Sequence, residues 1–358
     1  MYVLELGGED DAFARCEAAS ACTDVRPLAA GLATARGVSD RVHGLAYTHR
    51  ASALLGHTDA SVESARALLD AASFDREGSV AVRARDVKRT TGVDTQRAER
   101  ELGSVLVDRG FSVDLDDPDH ELRALFSVPG NEAEDDARDA EPVWRGGDGT
   151  PDEGSNSADP LAPAPDGEGV CALGWLEVES VRDYGDRRPT DRPFFQPGSM
   201  GPLFARALVN VAGARPGARV LDPMCGTGGV LVEAGLVGGD VVGADAQAKM
   251  VRGARENLAH FLEDFDVCRG DATHLPFRDA SVDAVVFDAP YGRQSKVVGD
   301  LAELVEDALR EARRVAPSCV VVADRSWREA AERAGWTVEA TFERRVHRSL
   351  DRHVLVLR

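Results

Sequence analysis

The sequence predicts an α/β protein. Its carboxyl-terminal half reads as a doubly wound, mostly parallel sheet, and a smaller α+β region precedes it. Three observations carry that reading. From Val170 onward, short apolar runs alternate with helical patterns. Three of the runs, Val241–Ala244, Val282–Phe287 and Cys319–Ala323, are nearly continuous, as strands covered on both faces require. A turn holding Gly226, Gly228 and Gly229 lies between one such run and a helical pattern, and sheets of this kind hold ligands at the carboxyl ends of their strands.

In the second half the predicted strands are Arg219–Leu221, Val241–Ala244, Val267–Gly270, Val282–Phe287, Cys319–Ala323 and His353–Leu357. The helices are Gly229–Leu236, Ala246–Leu262, Leu301–Val315 and Trp327–Ala334. In the first half Tyr2–Leu6, His43–Thr48, Val80–Arg85 and Leu122–Val128 read as strands. Ala60–Ala72 and Thr95–Arg109 read as helices. In the latter, Ala98, Leu102, Val105 and Leu106 share one face and Asp94 stands at the capping position. Between the halves, residues 131–169 are acidic and rich in Gly, Pro and Ser. Such a stretch buries too little apolar surface to offset chain entropy, so a disordered linker is expected. The expected division is therefore 1–50, 51–130, the linker 131–169, and 170–358.

Composition narrows the function classes. No run of about 18 apolar residues suggests a membrane span, and the first residues carry no secretion signal. The six cysteines are scattered, with no spacing that suggests zinc or another metal. The formal net charge is −20, and only Lys88, Lys249 and Lys296 among the 42 basic residues are lysines. A GC-rich genome explains arginine over lysine but not the acidity. Adaptation to molar salt explains both. There the Debye length is about 3 Å, so an acidic surface does not exclude a nucleic-acid partner.

The segment RVLDPMCGTGGVLVEAG places Asp222 at a strand end, just before Cys225, Gly226 and Gly228. Asp245 ends the next strand in GAD. A carboxylate there suits a ribose diol, whether of NAD or of S-adenosylmethionine. An acidic lead into the loop fits the cationic sulfonium donor better than a pyrophosphate. In RGDATHLPF, Asp271 and Ala272 follow another strand, where a carboxylate can accept from an adenine amino group; turn formation is the alternative. The strand VDAVVFD runs into Asp288-Ala289-Pro290-Tyr291. Pro290 holds Ala289 extended, so the Ala289 carbonyl and the Asp288 carboxylate can accept both hydrogens of one amino group. Tyr291 offers a face for stacking on a base. Phe194, Phe195 and Arg192, ahead of the first core helix, are candidates to close over donor or base.

DPMCGTGG, GAD, GDA and DAPYG, in this order, resemble the class I Rossmann-like methyltransferases that act on exocyclic amino groups, which implies a doubly wound, mostly parallel seven-stranded sheet. Their acceptor motif usually reads Asp/Asn-Pro-Pro-Tyr, and Ala289 replaces the first proline here. RPFFQPGSMGPLFARALVN (192–210) and RRVHRSLDRHV (344–354) resemble archaeal tRNA guanine-10 N2-methyltransferases. Residues 79–122 resemble a THUMP domain, an RNA-binding module, with a ferredoxin-like part before it. The resemblance implies methylation of the 2-amino group of a tRNA guanine, guanine 10, once and then twice. It implies S-adenosylmethionine held by Asp222, Cys225, Gly226, Gly228, Asp245, Asp271 and Ala272, with Asp288, Ala289, Pro290 and Tyr291 at the chemistry. It also implies tRNA as the partner. Arg83, Arg85, Lys88 and Arg89, which cluster around one predicted strand end, are the candidate contacts, with a solvated charged edge as the alternative. The expected setting is a cytoplasmic monomer without a partner protein. Another tRNA guanine, an adenine amino group, or a non-catalytic RNA-binding role are the competing readings.

Overall fold

The computed structural model describes residues 1–130, 169–291, 298–347 and 350–358. They form two compact units, divided between Val181 and Arg182.

The first unit is α+β. Its eight-stranded sheet runs β3-β4-β1-β6-β10-β9-β7-β8. The strands are β1 (Tyr2–Leu6), β3 (Arg26–Ala29), β4 (Leu32–Ala35), β6 (Thr48–Asp59), β7 (Ser79–Asp86), β8 (Ser112–Val113), β9 (His120–Ser127) and β10 (Val170–Glu179). The short strands β2 (Cys22–Thr23) and β5 (Gly37–Val38) pair separately. Of its helices, α1 spans Asp11–Ala18, α2 Val62–Ala71 and α3 Thr95–Asp108. Asp94 caps α3 by accepting from the Arg97 amide at 3.0 Å. The stripe Ala98, Leu102, Val105 and Leu106 packs with Val62, Ala65 and Leu69 of α2 onto Leu122, Phe126, Leu173 and Trp175.

Three sequence expectations change here. The catalytic half does not start at Val170, because β10 pairs antiparallel with both β6 and β9 at the middle of the first sheet. Its apolar run Val170–Leu173 is fully buried there. The acidic stretch, of which residues 131–168 lie outside the described residues, therefore joins two neighbouring strands of one sheet rather than two domains. Nor does the sheet break at residue 50, since β6 crosses that point paired on both sides. Finally, His43–Tyr47 is not a strand, and β6 begins only at Thr48. Residues Asp40–Gly44 form a 3-10 turn. The Ala46 and Tyr47 amides donate to the buried Glu17 carboxylate at 2.6 and 2.7 Å, so those donors are satisfied without a strand partner.

The second unit carries a seven-stranded sheet in the order β13-β12-β11-β14-β15-β17-β16. Strands β11 (Arg219–Asp222), β12 (Asp240–Asp245), β13 (Asp266–Arg269), β14 (Ala284–Asp288) and β15 (Cys319–Ala323) are parallel. The last two, β16 (Val338–His347) and β17 (Leu350–Leu357), are antiparallel. The helices are α4 (Pro202–Ala212), α5 (Gly229–Leu236), α6 (Ala248–Phe261), α7 (Val298–Val315) and α8 (Arg328–Arg333). Along α7, Leu301, Val305, Leu309 and Ala312 recur at helical spacing and bury against Val285, Phe287 and Val321. No described helix is long and apolar enough to cross a membrane.

On α5 the Glu233 side chain is wholly buried. It accepts from Arg187 at 2.9 Å and pairs with Arg206 at 2.8 Å. Removing one partner of such a cluster strands the remaining charges without water. Glu233→Ala is therefore expected to cost about 3–5 kcal/mol, measured as the loss of unfolding free energy in denaturant titrations.

Candidate active site

The order of the second sheet creates the site. From β11 the chain winds outward to β12 and β13, then returns to β14 on the other side of β11. Helices leaving in opposite directions open a crevice at the carboxyl ends of β11 and β14, the switch point of a doubly wound sheet. Asp222 ends β11, Asp245 ends β12 and Asp288 ends β14.

A glycine-bearing loop follows β11. Gly226 and Gly228 have φ of +51° and +78°, left-handed values that a side chain disfavours. The Gly228 amide donates to the Cys225 carbonyl at 2.7 Å and closes the turn into α5. The Gly226 amide donates to one Asp245 oxygen at 3.0 Å, and the Gln247 amide donates to the other at 2.8 Å. Asp245 thus ties the loop after β11 to the end of β12. Asp222 is 2% exposed and accepts from the Met224 amide at 3.0 Å. Burial holds its carboxyl well above the usual range, and the charges of Asp245 and Asp288 push the same way. Burial likewise raises the Cys225 thiol, which packs as a neutral side chain.

Asparagine 257, which the sequence does not single out, braces this loop from α6. Its amide nitrogen donates to the Thr227 carbonyl at 2.8 Å and to the Phe194 carbonyl at 2.9 Å. Its oxygen accepts from the Phe194 amide at 2.8 Å. Phe194 lies so close to Gly253 that an added Cβ would stand 2.0 Å from the ring. Phe194 therefore packs on α6 rather than hanging free. Arg192 is buried, its Nε donating to the Arg187 carbonyl at 3.1 Å. Of the three candidates to close over the site, Phe195 alone is exposed.

Asp271 follows β13. Its Oδ1 accepts from the Thr273 amide and hydroxyl, both at 2.9 Å, and these bonds lower its carboxyl below the ordinary value. That is the turn role open to it from the sequence. Ala272 is buried in the core beside it.

At the acceptor end, the Ala289 amide donates to the Val322 carbonyl at 2.8 Å, fixing the residue between β14 and β15. The Tyr291 hydroxyl donates to Asp288 Oδ1 at 2.8 Å and accepts from Arg352 Nε at 3.0 Å. Another Arg352 nitrogen stands 3.9 Å from Asp288 Oδ2. Loss of water pushes the Asp288 carboxyl up to about 6, and Asp324 adds to the rise. Arg352 and the Tyr291 hydroxyl pull it back. Burial, with the neighbouring Asp288 charge, raises the Tyr291 phenol, so it stays a donor at neutral pH. Arg352 was not legible as a site residue. Its one signal is its place in the segment 344–354; it is 8% exposed, between Asp351 and His353 at the polar start of β17.

The four candidate RNA contacts lie in the first unit, around the end of β7. Arg83 donates to the Leu115 carbonyl at 2.6 Å, Arg85 to the buried Glu5 carboxylate at 3.2 Å and Lys88 to Asp11 at 2.8 Å. Arg89 is exposed. Lys88 and Arg89 hold φ of +54° and +56° in succession, uncommon for residues with side chains. The Asp86 carboxylate anchors the following loop by accepting from the Thr90, Thr91 and Gly92 amides.

Converging carboxylates with left-handed glycines suit a cationic, ribose-bearing donor, whereas a pyrophosphate would meet repulsion there. The comparisons give the family. A family model described as "RMKL-like, methyltransferase domain" matches residues 189–353. Over 321 residues the chain is 33% identical to a tRNA (guanine(10)-N2)-dimethyltransferase of Methanothermobacter thermautotrophicus, covering 87% of this chain and 83% of that protein. It is 36% identical over 182 residues to a protein of the same name from Pyrococcus abyssi, covering 49% of this chain and 55% of that one. The crystal structure of TrmN from Thermus thermophilus aligns over 99% of this chain and 98% of that one, with 23% identity and a TM-score of 0.46. At the identity and coverage of the first of these relatives, the chain belongs to the tRNA (guanine(10)-N2)-dimethyltransferase family and is an S-adenosylmethionine-dependent methyltransferase.

Proposed function

We propose that the chain methylates the exocyclic 2-amino group of guanine 10 in tRNA, first once and then a second time. The observation that carries this reading is the half-buried Asp288 carboxylate at the switch-point crevice, oriented by Tyr291 and Arg352 and close enough to Asp222 to raise its carboxyl. The names of the relatives supply the nucleoside and its position.

S-adenosylmethionine supplies an electrophilic methyl group on a sulfonium. The guanine 2-amino lone pair is delocalised into the ring and is a weak nucleophile. Asp288 accepts one of its hydrogens, which favours a pyramidal nitrogen and fixes its direction, an orientation effect. The Ala289 carbonyl is the acceptor assigned to the second hydrogen. As the nitrogen becomes cationic, the Asp288 carboxylate stabilises the charge and takes the proton released. Tyr291 is assigned a stacking face, its ring held in place by its hydroxyl tether. Guanine in a paired stem must leave the stack to reach this crevice. Asp222, Gly226, Gly228 and Asp245 are assigned to the donor, and Asp271 with Ala272 to its adenine side. The first unit is assigned to tRNA binding through its THUMP-like part, with Arg89 as the contact candidate least engaged within the protein.

The test uses the full chain, an unmodified tRNA transcript and the donor in concentrated potassium chloride, with products mapped by nucleoside mass spectrometry. N2-methylguanosine and then N2,N2-dimethylguanosine at position 10 are expected, and neither with a transcript carrying adenosine there. Methylation at another guanine, or of adenosine, overturns the assignment.

A further inference from the structure

The second unit contains a cavity of about 460 Å³ lined by Tyr184, Arg188, Phe204, Arg344, Arg345 and Arg352, with no carboxylate among its described lining residues. In a chain of net charge −20 that composition needs a cause. None of the donor-loop residues lines it. It meets the acceptor site through Arg352, which also holds Tyr291.

The arginines are arranged against their own electrostatics. Arg344 and Arg352 stand directly opposite each other on β16 and β17. Their guanidiniums lie over the same Phe204 ring, 4.9 and 5.9 Å from its centre. Like charges facing across a ladder are destabilising; the ring quadrupole and, for Arg352, the Asp288 carboxylate 3.9 Å away offset part of that. Asp351 is the ladder partner of Arg345, yet neither Arg345 nor Arg188 makes an ion pair among the described residues. An anion in the cavity would relieve this repulsion. Guanidinium forks match phosphate oxygens in pairs, and the neighbouring aromatic rings suit an anion that carries a nucleoside.

We infer that this cavity seats a backbone phosphate of the RNA substrate, one that flanks the guanosine to be methylated. The inference rests on the proposed function, and Arg352 supplies the adjacency, since its guanidinium belongs both to the cavity wall and to the group that orients Asp288. Seating the phosphate would fix the flipped nucleotide by its backbone while Asp288 engages its base.

The test combines the Arg344→Gln/Arg345→Gln double variant of the full chain with a tRNA carrying an uncharged methylphosphonate beside the target guanosine. On the normal tRNA the variant is expected to raise KM about tenfold, to lower the slope of log affinity against log salt by about 1, and to leave kcat and donor affinity nearly unchanged. On wild-type protein the methylphosphonate is expected to raise KM similarly, and on the variant to add little. An unchanged KM, or losses that multiply, overturns the inference. Thermal melting checks folding, and if the double variant fails to fold, the single Arg345→Gln variant enters the same cycle. If wild-type protein methylates no RNA, the functional reading has failed. Filter binding of the two tRNAs to the two proteins then decides the cavity by the same cycle.

Discussion

Asp288→Ala is expected to lower kcat by on the order of 10³ while S-adenosylmethionine affinity changes less than threefold. The carboxylate sits where β14 ends, accepts from the Tyr291 hydroxyl and faces Arg352 at 3.9 Å, away from the loop after β11. Its loss therefore removes an interaction that strengthens as charge develops on the nucleophile, and leaves the donor loop intact. The pH profile supplies a second signature. Burial places the Asp288 carboxyl near 6, and the ionised form is the hydrogen-bond acceptor. Wild-type kcat should fall as pH drops through about 6. Arg352→Met removes a cation that favours the ionised form, so that acid limb should move to higher pH. Single-turnover rates across pH, paired with calorimetric donor binding, read both effects. An Asp288→Ala enzyme within tenfold of wild type would remove the proposed role.

Asp222→Asn is expected to weaken S-adenosylmethionine binding by about 10- to 100-fold, the worth of a hydrogen bond to a charged group, and yet to raise Tm. Asp222 is nearly inaccessible, and Asp245 and Asp288 add to the pressure on its charge. Its folded-state pKa lies above its unfolded one, so the ionised carboxylate disfavours the fold. That cost is absent below the unfolded value, about 4, and develops as pH rises through the folded value. Asparagine retains the acceptor for the Met224 amide and removes the charge. The gain in Tm should thus be visible at pH 8 and vanish at pH 4. Melting curves at the two values, with calorimetric donor binding, test whether this residue trades stability for function. A lower Tm at pH 8 would overturn that account.

The catalytic half was largely legible because its signals are local. The helix Gly229–Leu236 and the strand Cys319–Ala323 keep their sequence bounds, each set by an abrupt change of composition. The same holds for the turn after β11, where the glycines and Asp222 adjoin in sequence. What stayed hidden depends on distant partners. Strands β3 and β4 are short and carry several alanines, weak strand formers; β4 exists because β1 offers it an edge, and β3 because β4 does. Strand β16 mixes polar and apolar residues at the edge of its sheet and lacks the continuous apolar run of a central strand. Arg352 acquires its role from Tyr291, 61 positions away. Asn257 acquires its role from a backbone segment 63 positions away. Neither relation leaves a trace in local spacing.

The central place of β10 has a consequence for how the molecule tolerates change. The chain leaves the first sheet after β9 and re-enters it as the neighbouring strand, with roughly forty residues between. Closing such an excursion, compared with a connection a tenth as long, costs on the order of 2 kcal/mol, because loop-closure entropy grows only with the logarithm of length. Growth or loss there is a small perturbation to the sheet. A cut at Val170 is a large one: the carboxyl-terminal fragment would carry an apolar strand stripped of both partners, a ready template for aggregation, and the sheet left behind would have a gap at its centre. A cut at Arg182 leaves β10 in its own sheet.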